Sequence, residues 1–290
     1  MAVIYNTQYV DEKYSATIEA NLYYDSVLIP GVTYTDKYED KAGGIFIHKL
    51  GTSGFISPTT PGTDFSDAVI ADSLIQAVFN NNFKRSRKIY GVTADSVSFP
   101  KAEAELAEAL TEVKQGWLLS GLACLAAEST NAADTTALTA SNVEAKYLAM
   151  RQDLRTAKAN PRFVLASPAV YTLILQVAGD NFRPTTNETI IGQGIVGDWY
   201  GMTVMEANGL AETSVKYYNY AGELITYDLS AVDMIMGDPD AFSVLNNFET
   251  FRLIDSERFA GMLAQVEFNT AYRVTNSSRI QTKFNASPTA

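Results

Sequence analysis

SFPKAEAELAEALTEVKQGWLLSGLACLAAE, residues Ser98 to Glu128, is the strongest helical pattern in the chain. Pro100 suits a first helical turn, where a missing N–H costs nothing. Glu103, Glu105, Glu108 and Glu112 crowd the N-terminal half, where the helix dipole favours negative charge. Leu106, Leu110, Val113 and Trp117 recur at helical spacing and Cys124 continues the row. Leu118, Leu122 and Leu125 form a second row beside it. The predicted helix is therefore amphipathic at its start and apolar nearly all round by Ala126. From Pro100 to Glu128 it would be about 40 Å long, enough to cross most of a domain. Gly116 and Gly121 each cost about 1 kcal/mol inside it, so each marks a close approach by another element or a bend.

On the N-terminal side, the first forty residues are polar and rich in tyrosine, including Tyr5, Tyr9, Tyr14, Tyr23, Tyr24, Tyr34 and Tyr38. They read as an extended arm with one short helix near Ser15–Ser26. The tyrosines either meet a partner or pack back on their own domain. Ile45–Leu50 looks like a strand, Gly51–Gly54 a turn, Phe55-Ile56 the start of a return, and Ser57–Asp64 a loop. This long excursion has too little apolar content to bury itself. Lys84-Arg85-Ser86-Arg87-Lys88 is the one dense basic run. It reads as a solvated face or, alternatively, as a partner for a neighbouring subunit's carboxylates.

On the C-terminal side, Ser129–Ala140 is a small-residue linker, and Ser141 or Asn142 can cap a second helix. Its stripe is Val143, Tyr147, Met150 and Leu154, and Pro161 ends it. Arg162–Ala166 is a short buried strand, and Ser167-Pro168 opens a third helix to about Val177. Strands are predicted at Thr203–Glu206, Val215–Tyr220, Glu223–Tyr227 (a hairpin about Ala221-Gly222) and Val232–Gly237. Phe248–Val274 follows as two strands about a helix-like turn near Ser256–Gly261. The fold class is α+β, without regular βαβα alternation.

A search for chemistry yields no catalytic, cofactor-binding or metal-binding residues. Gly192-Gln193-Gly194-Ile195-Val196-Gly197 matches G-x-G-x-x-G, but a pyrophosphate site needs a helix N-terminus after it, and Gly201 interrupts any such helix. His48 is the single histidine and Cys124 the single cysteine, so multi-histidine sites, cysteine-based metal sites and an intrachain disulfide are all excluded within one chain. No G-x-S-x-G elbow accompanies His48. Asp228, Asp233, Asp238 and Asp240 form a loose acidic set without EF-hand spacing, and turn formation accounts for them.

Of 290 residues, 47% are hydrophobic and 19% charged, which excludes a disordered chain. The net charge of −11 argues against a nucleic-acid reader built on clustered Lys and Arg. The longest apolar stretch, Trp117–Ala127, is about half the ~20 residues a membrane span needs. With one cysteine and no signal-like N-terminus, a soluble protein made in a reducing cytosol is expected.

The order of these elements resembles the major capsid proteins of tailed bacteriophages with the HK97-like fold. Arg162–Pro168 followed by Tyr171-Thr172-Leu173 looks like that family's strand, Ser-Pro, helix. Gly194–Gly197 leading to Tyr200–Val204 looks like its turn and next strand, and Asp238–Phe242 like the exit from its axial domain. The resemblance implies an N-terminal arm at 1–42, an extended loop at 43–75, a peripheral domain with a spine helix at 76–135, an axial domain at 136–244, and a return to the peripheral domain at 245–290. It implies a structural, non-enzymatic protein of the virion capsid, assembled in the bacterial host cytoplasm. It needs no cofactor and no membrane. Its partners would be copies of itself in hexamers and pentamers, a scaffolding protein, a portal, and packaged double-stranded DNA contacted non-specifically. Lys49 lies in the extended loop, but no local motif carries over the family's Lys–Asn crosslink, and none is expected. Two alternatives stay open: an encapsulin-type nanocompartment shell protein and a dinucleotide-binding oxidoreductase built on the glycine loop.

Overall fold

A computed structural model describes residues 27–35, 44–50, 72–90, 101–132, 134–178, 182–184 and 195–285. The helix expected near Ser15–Ser26, the loop at Ser57–Asp64 and the first half of the glycine motif lie outside these residues.

The strands are β1 Gly44–Leu50, β2 Asp72–Val78, β3 Asn81–Tyr90, β4 Thr130–Asn131, β5 Phe163–Ala166, β6 Phe182–Pro184, β7 Ile195–Trp199, β8 Met202–Glu206, β9 Val215–Tyr218, β10 Leu224–Tyr227, β11 Val232–Gly237, β12 Phe242–Asp255, β13 Gly261–Val274 and β14 Ile280–Phe284. The helices are α1 Lys101–Glu128, α2 Val143–Thr156 and α3 Pro168–Ala178. They form a seven-stranded sheet in the order β4-β14-β11-β5-β8-β7-β6, a three-stranded sheet β12-β13-β3, and two-stranded pairs β1-β2 and β9-β10.

The centre of the seven-stranded sheet is covered on both sides, and strand periodicity shows how. Val164 and Ala166 of β5 face α2 and α3, in a core with Val143, Tyr147, Met150, Leu154, Val170 and Ile174. Phe163 and Leu165, one residue out of phase, face the other way, into a core with Leu118, Leu122 and Leu125 of α1. The four residues predicted as the α2 stripe are its buried residues. Asn142 stands at the N-cap of α2 without capping it. Its side-chain oxygen accepts from the Thr139 N–H at 2.8 Å and its amide donates to the Ala137 carbonyl at 3.0 Å, so it braces the preceding turn instead.

α1 joins two cores. Its N-terminal half packs Ala109 and Val113 against Val266, with Phe83 and Phe268 alongside, on the three-stranded sheet. Its C-terminal half lies under the seven-stranded sheet, with Leu122, Ala123, Cys124, Leu125 and Ala126 wholly buried. This accounts for the predicted change from an amphipathic to an all-apolar helix. Both glycines mark close approaches. A Cβ on Gly121 would stand 2.5 Å from Leu28 Cδ1 and 3.0 Å from Tyr272 Cε1, and one on Gly116 would stand 3.2 Å from Phe83. Trp117 is only partly buried, set edge-on to Phe268 with ring centroids 6.2 Å apart.

Two sequence expectations need correction. β12 begins at Phe242, and residues 257–260 form bends rather than a helical turn. The segment 245–290 also does not stay together. β12 and β13 pair with each other and with β3, whereas β14 leaves them and pairs antiparallel with β11 and parallel with β4. The reason is burial: all five residues of β14 are buried, and that position in the seven-stranded sheet covers both of their faces.

Candidate assembly surface

None of the candidate chemical motifs forms a reactive group in the described residues. After Gly194 the chain runs straight into β7, which pairs with β6 and β8. It then turns back through Tyr200 (φ 51°) and Gly201 (φ 75°). A strand and a tight turn therefore stand where a pyrophosphate site requires a helix N-terminus. His48 sits in β1 opposite Leu74. Asp228 and Asp238 each accept the N–H two residues on, opening short 3₁₀ turns at Leu229–Ala231 and Pro239–Ala241. Asp233 is buried in β11, where burial raises its pKa against the opposing pull of Lys283 and Asn285. Lys283, also buried, donates to the Thr136 and Phe284 carbonyls at 2.8 and 2.9 Å. Burial lowers its pKa, partly offset by Asp134 and Asp233. Among the described residues, no group of three or more His, Cys, Asp or Glu is placed to hold a metal ion, and no helix is long and apolar enough to cross a membrane.

The basic run belongs to β3, and its two arginines reach α1 of the same chain. Arg85 Nε stands 2.5 Å from Glu112 of α1. Arg87 reaches Glu105 at 2.8 Å, Glu112 at 2.7 Å and Glu108 at 3.8 Å. Burial opposes the Arg87 charge, but its hydrogen bonds to Glu112 and Glu105 outweigh that cost and hold its pKa above the ordinary value. The same bonds hold Glu112 below its ordinary value despite burial. Lys84 pairs with Glu267 of β13 at 2.8 Å. The solvated-face reading holds for Lys84, Arg85, Ser86 and Lys88, which are exposed, while Lys84, Arg85 and Arg87 also pair with carboxylates of their own chain. The acidic first half of α1 and the basic β3 neutralise each other across one helix–sheet contact.

Besides an open cleft lined by Lys84, Arg85, Arg252, Gln265 and Glu267, the described residues expose extended surface. The β1–β2 ribbon pairs antiparallel along its whole length, from Gly44 opposite Val78 to Leu50 opposite Asp72, and Leu74 is exposed. Only Phe79 and Asn80 separate it from β3. Halfway along it, the Ile47–Ile75 pair packs with Phe79 against Leu245 and Ala271. Near one end of the three-stranded sheet, Leu253 and Met262 are exposed on one face, and Tyr90 and Ile254 on the other. The N-terminal segment is pinned where it is described. Val27, Leu28 and Tyr34 are buried in the α1 core, and Thr35 bridges to Ser243. For Tyr34 this settles the choice in favour of its own domain. The other arm tyrosines named above lie outside the described residues.

This architecture matches known proteins. The sequence model of the phage capsid protein family matches residues 98–281, and the chain belongs to that family. No curated protein sequence matches it. Among solved structures, it is similar to one from Mycobacterium phage Che8 (TM-score 0.67, 12% identity, 94% of this chain and 96% of that one). It is also similar to the capsid structure of cyanophage P-SCSP1u (TM-score 0.70, 10% identity, 95% and 92%). A third similar structure is the capsid of Ralstonia phage GP4 (TM-score 0.61, 11% identity, 100% of both chains). The chain is a structural protein, a major capsid protein with the HK97-like fold, as its element order implied.

Proposed function

We propose that this major capsid protein joins copies of itself, as hexamers and pentamers, into the icosahedral shell of a tailed-phage virion that encloses double-stranded DNA. The family match across residues 98–281 carries this reading. The protein works as a building block and catalyses nothing. In this reading 1–42 is an arm and 43–75 an extended loop that reach neighbouring copies, and heterologous contacts of that kind close into rings. The peripheral unit comprises β3, α1, β13 and the part of β12 from residue 245 onward. The axial unit comprises residues 136–244 together with β14. Assembly takes place in the host cytoplasm with a scaffolding protein and a portal, and the DNA is contacted non-specifically.

The test is negative-stain electron microscopy with light scattering, on the protein alone and co-expressed with a scaffolding protein. Closed shells, or rings of five and six, are expected, and DNA inside mature particles. A small oligomer that persists with scaffold present overturns the shell reading. Shells that carry a protein cargo and no DNA point to an encapsulin-type compartment instead.

A further inference from the structure

The two faces of the three-stranded sheet differ in how their charge is matched. Strand alternation turns Phe83, Val266 and Phe268 toward α1, and on that face Arg85 and Arg87 meet glutamates. On the opposite face the register sets Lys88 beside Leu263 and Ile254, and Ser86 beside Gln265 and Arg252. Lys84 is paired there with Glu267 at 2.8 Å. Arg252 donates to the neutral Gln265 at 3.0 Å, and Lys88 stands 6.0 Å from the centre of the Phe259 ring. Lys88, Arg252, Ile254 and Tyr90 are exposed. The β1–β2 ribbon covers the other end of this face, over Ala271 and Leu245.

A strip of cations beside apolar side chains fits a partner segment that is acidic and aromatic. The amino-acid sequence holds such a segment. Residues 1–26 carry Asp11, Glu12, Glu19 and Asp25 against Lys13, with Tyr9, Tyr14, Tyr23 and Tyr24 between them. They join the described fold at Val27 and Leu28, which are buried on the α1 side of the sheet, Leu28 against Gly121 and Tyr272. The basic strip is on the other side. An extended chain of this length spans at most about 90 Å, far enough to reach a neighbouring copy.

We propose that residues 1–26 of a second copy dock on this face, their carboxylates against Lys88 and Arg252 and their aromatic and aliphatic side chains against Leu263, Ile254 and Tyr90. The docking rests on the shell reading, which brings the second copy alongside. It gives the acidic chain an attractive contact between like-charged copies, and high salt weakens it because both cations are exposed.

The experiment uses the full chain assembled with scaffold from equal parts of unlabelled and nitrogen-15-labelled protein. The photocrosslinker p-benzoylphenylalanine replaces Ser86, an exposed residue of the strip. After irradiation, mass spectrometry should find residues 1–26 joined to the β3 peptide, with about half of the pairs combining a labelled and an unlabelled partner. Pairs that always share one label mean that the segment folds back on its own copy. Crosslinks to residues 51–71, to scaffold or to DNA mean another occupant. Either result overturns the docking and leaves the shell reading standing, whereas a parent that forms no shells overturns both. Charge reversal checks the same contact without the crosslinker. Lys88→Glu with Arg252→Glu should lose closed shells at an unchanged melting temperature, and reversing Asp11, Glu12, Glu19 and Asp25 to lysine in the same chain should restore them. Shells that close normally with the reversed face, or a loss that the reversed segment does not relieve, overturn the proposal.

Discussion

Arg87 of β3 donates to Glu112 of α1 across 2.7 Å, and the two residues are 25 positions apart in the chain. Each is about a quarter exposed. The pair is the centre of a network in which one guanidinium also meets Glu105 and Glu108, so it fastens the first half of the long helix to the three-stranded sheet.

Arg87→Ala therefore leaves three half-buried carboxylates close together without their common partner. Urea denaturation should show a loss of about 1–3 kcal/mol, the usual cost of stranding charged hydrogen-bonding groups. In a double-mutant cycle, Arg87→Ala with Glu112→Ala should lose less than the sum of the single changes, because the second change relieves part of the first. Strict additivity would show that the pair does not interact.

The same pair has a pH signature. Burial raises the pKa of Glu112, but the hydrogen bond and charge of Arg87 and the charge of Arg85 outweigh it, so the folded value lies below the ordinary 4.5. A lowered carboxylate pKa means the folded state binds the proton more weakly than the unfolded state. The stabilisation is complete above the ordinary value and is lost as pH falls through the folded one. The stability gap between the parent and Glu112→Gln should be widest near neutrality and narrow below about pH 4.5. Glu128, whose pKa burial raises despite Arg273 and the Val274 N–H, carries the opposite slope.

Gly121→Ala and Gly116→Ala should behave differently although both lie in α1. Each gains about 1 kcal/mol of helix propensity. At Gly121 the new methyl meets Leu28 and Tyr272, both buried, and overpacking of about 1–3 kcal/mol should prevail. At Gly116 only Phe83 must give way, by a few tenths of an ångström, and the change should be close to neutral. Thermal melts of the two variants decide this. Assembled Gly116→Ala shells test whether bending there has any role, which unchanged shell size and yield would exclude.

Trp117→Ala should cost about 2–4 kcal/mol by denaturant titration, toward the lower part of the range for large-to-small core changes. The indole is partly rather than fully buried, and the backbone carbonyl that accepts from Tyr272 at 2.7 Å survives the substitution.

Replacing residues 51–71 by Asn-Gly joins β1 to β2 through a two-residue turn suited to an antiparallel pair. The ladder from Gly44–Val78 to Leu50–Asp72 and the Ile47 cluster remain. The variant should melt like the parent and fail to close shells when co-expressed with scaffold. Normal shells would show that the excision removes nothing assembly needs.

The helices and the most buried strands were legible in the sequence because their signal is local. The spacing of Val143, Tyr147, Met150 and Leu154 states which face of α2 is buried, whatever covers it. Pro100, the glutamates and the two leucine rows likewise delimit α1 to within a residue of Lys101–Glu128. An unbroken apolar run marks Phe163–Ala166 as covered on both faces. The absence of a competent helix after Gly197 was also readable, because Gly201 follows so closely.

What the sequence left open are pairings between segments far apart. Nothing within Lys84–Lys88 indicates that its arginines meet Glu105 and Glu112 of the same chain rather than water or another copy. Nothing near Ile280 indicates that β14 leaves β13 to sit between β4 and β11. Asn81 looks like any polar residue at a strand end until β9 is brought beside it. Local patterns determine which residues must be buried and with what periodicity. Register, partner and charge neutralisation are free energies of contact between distant segments, and they acquire values only once the tertiary fold brings those segments together.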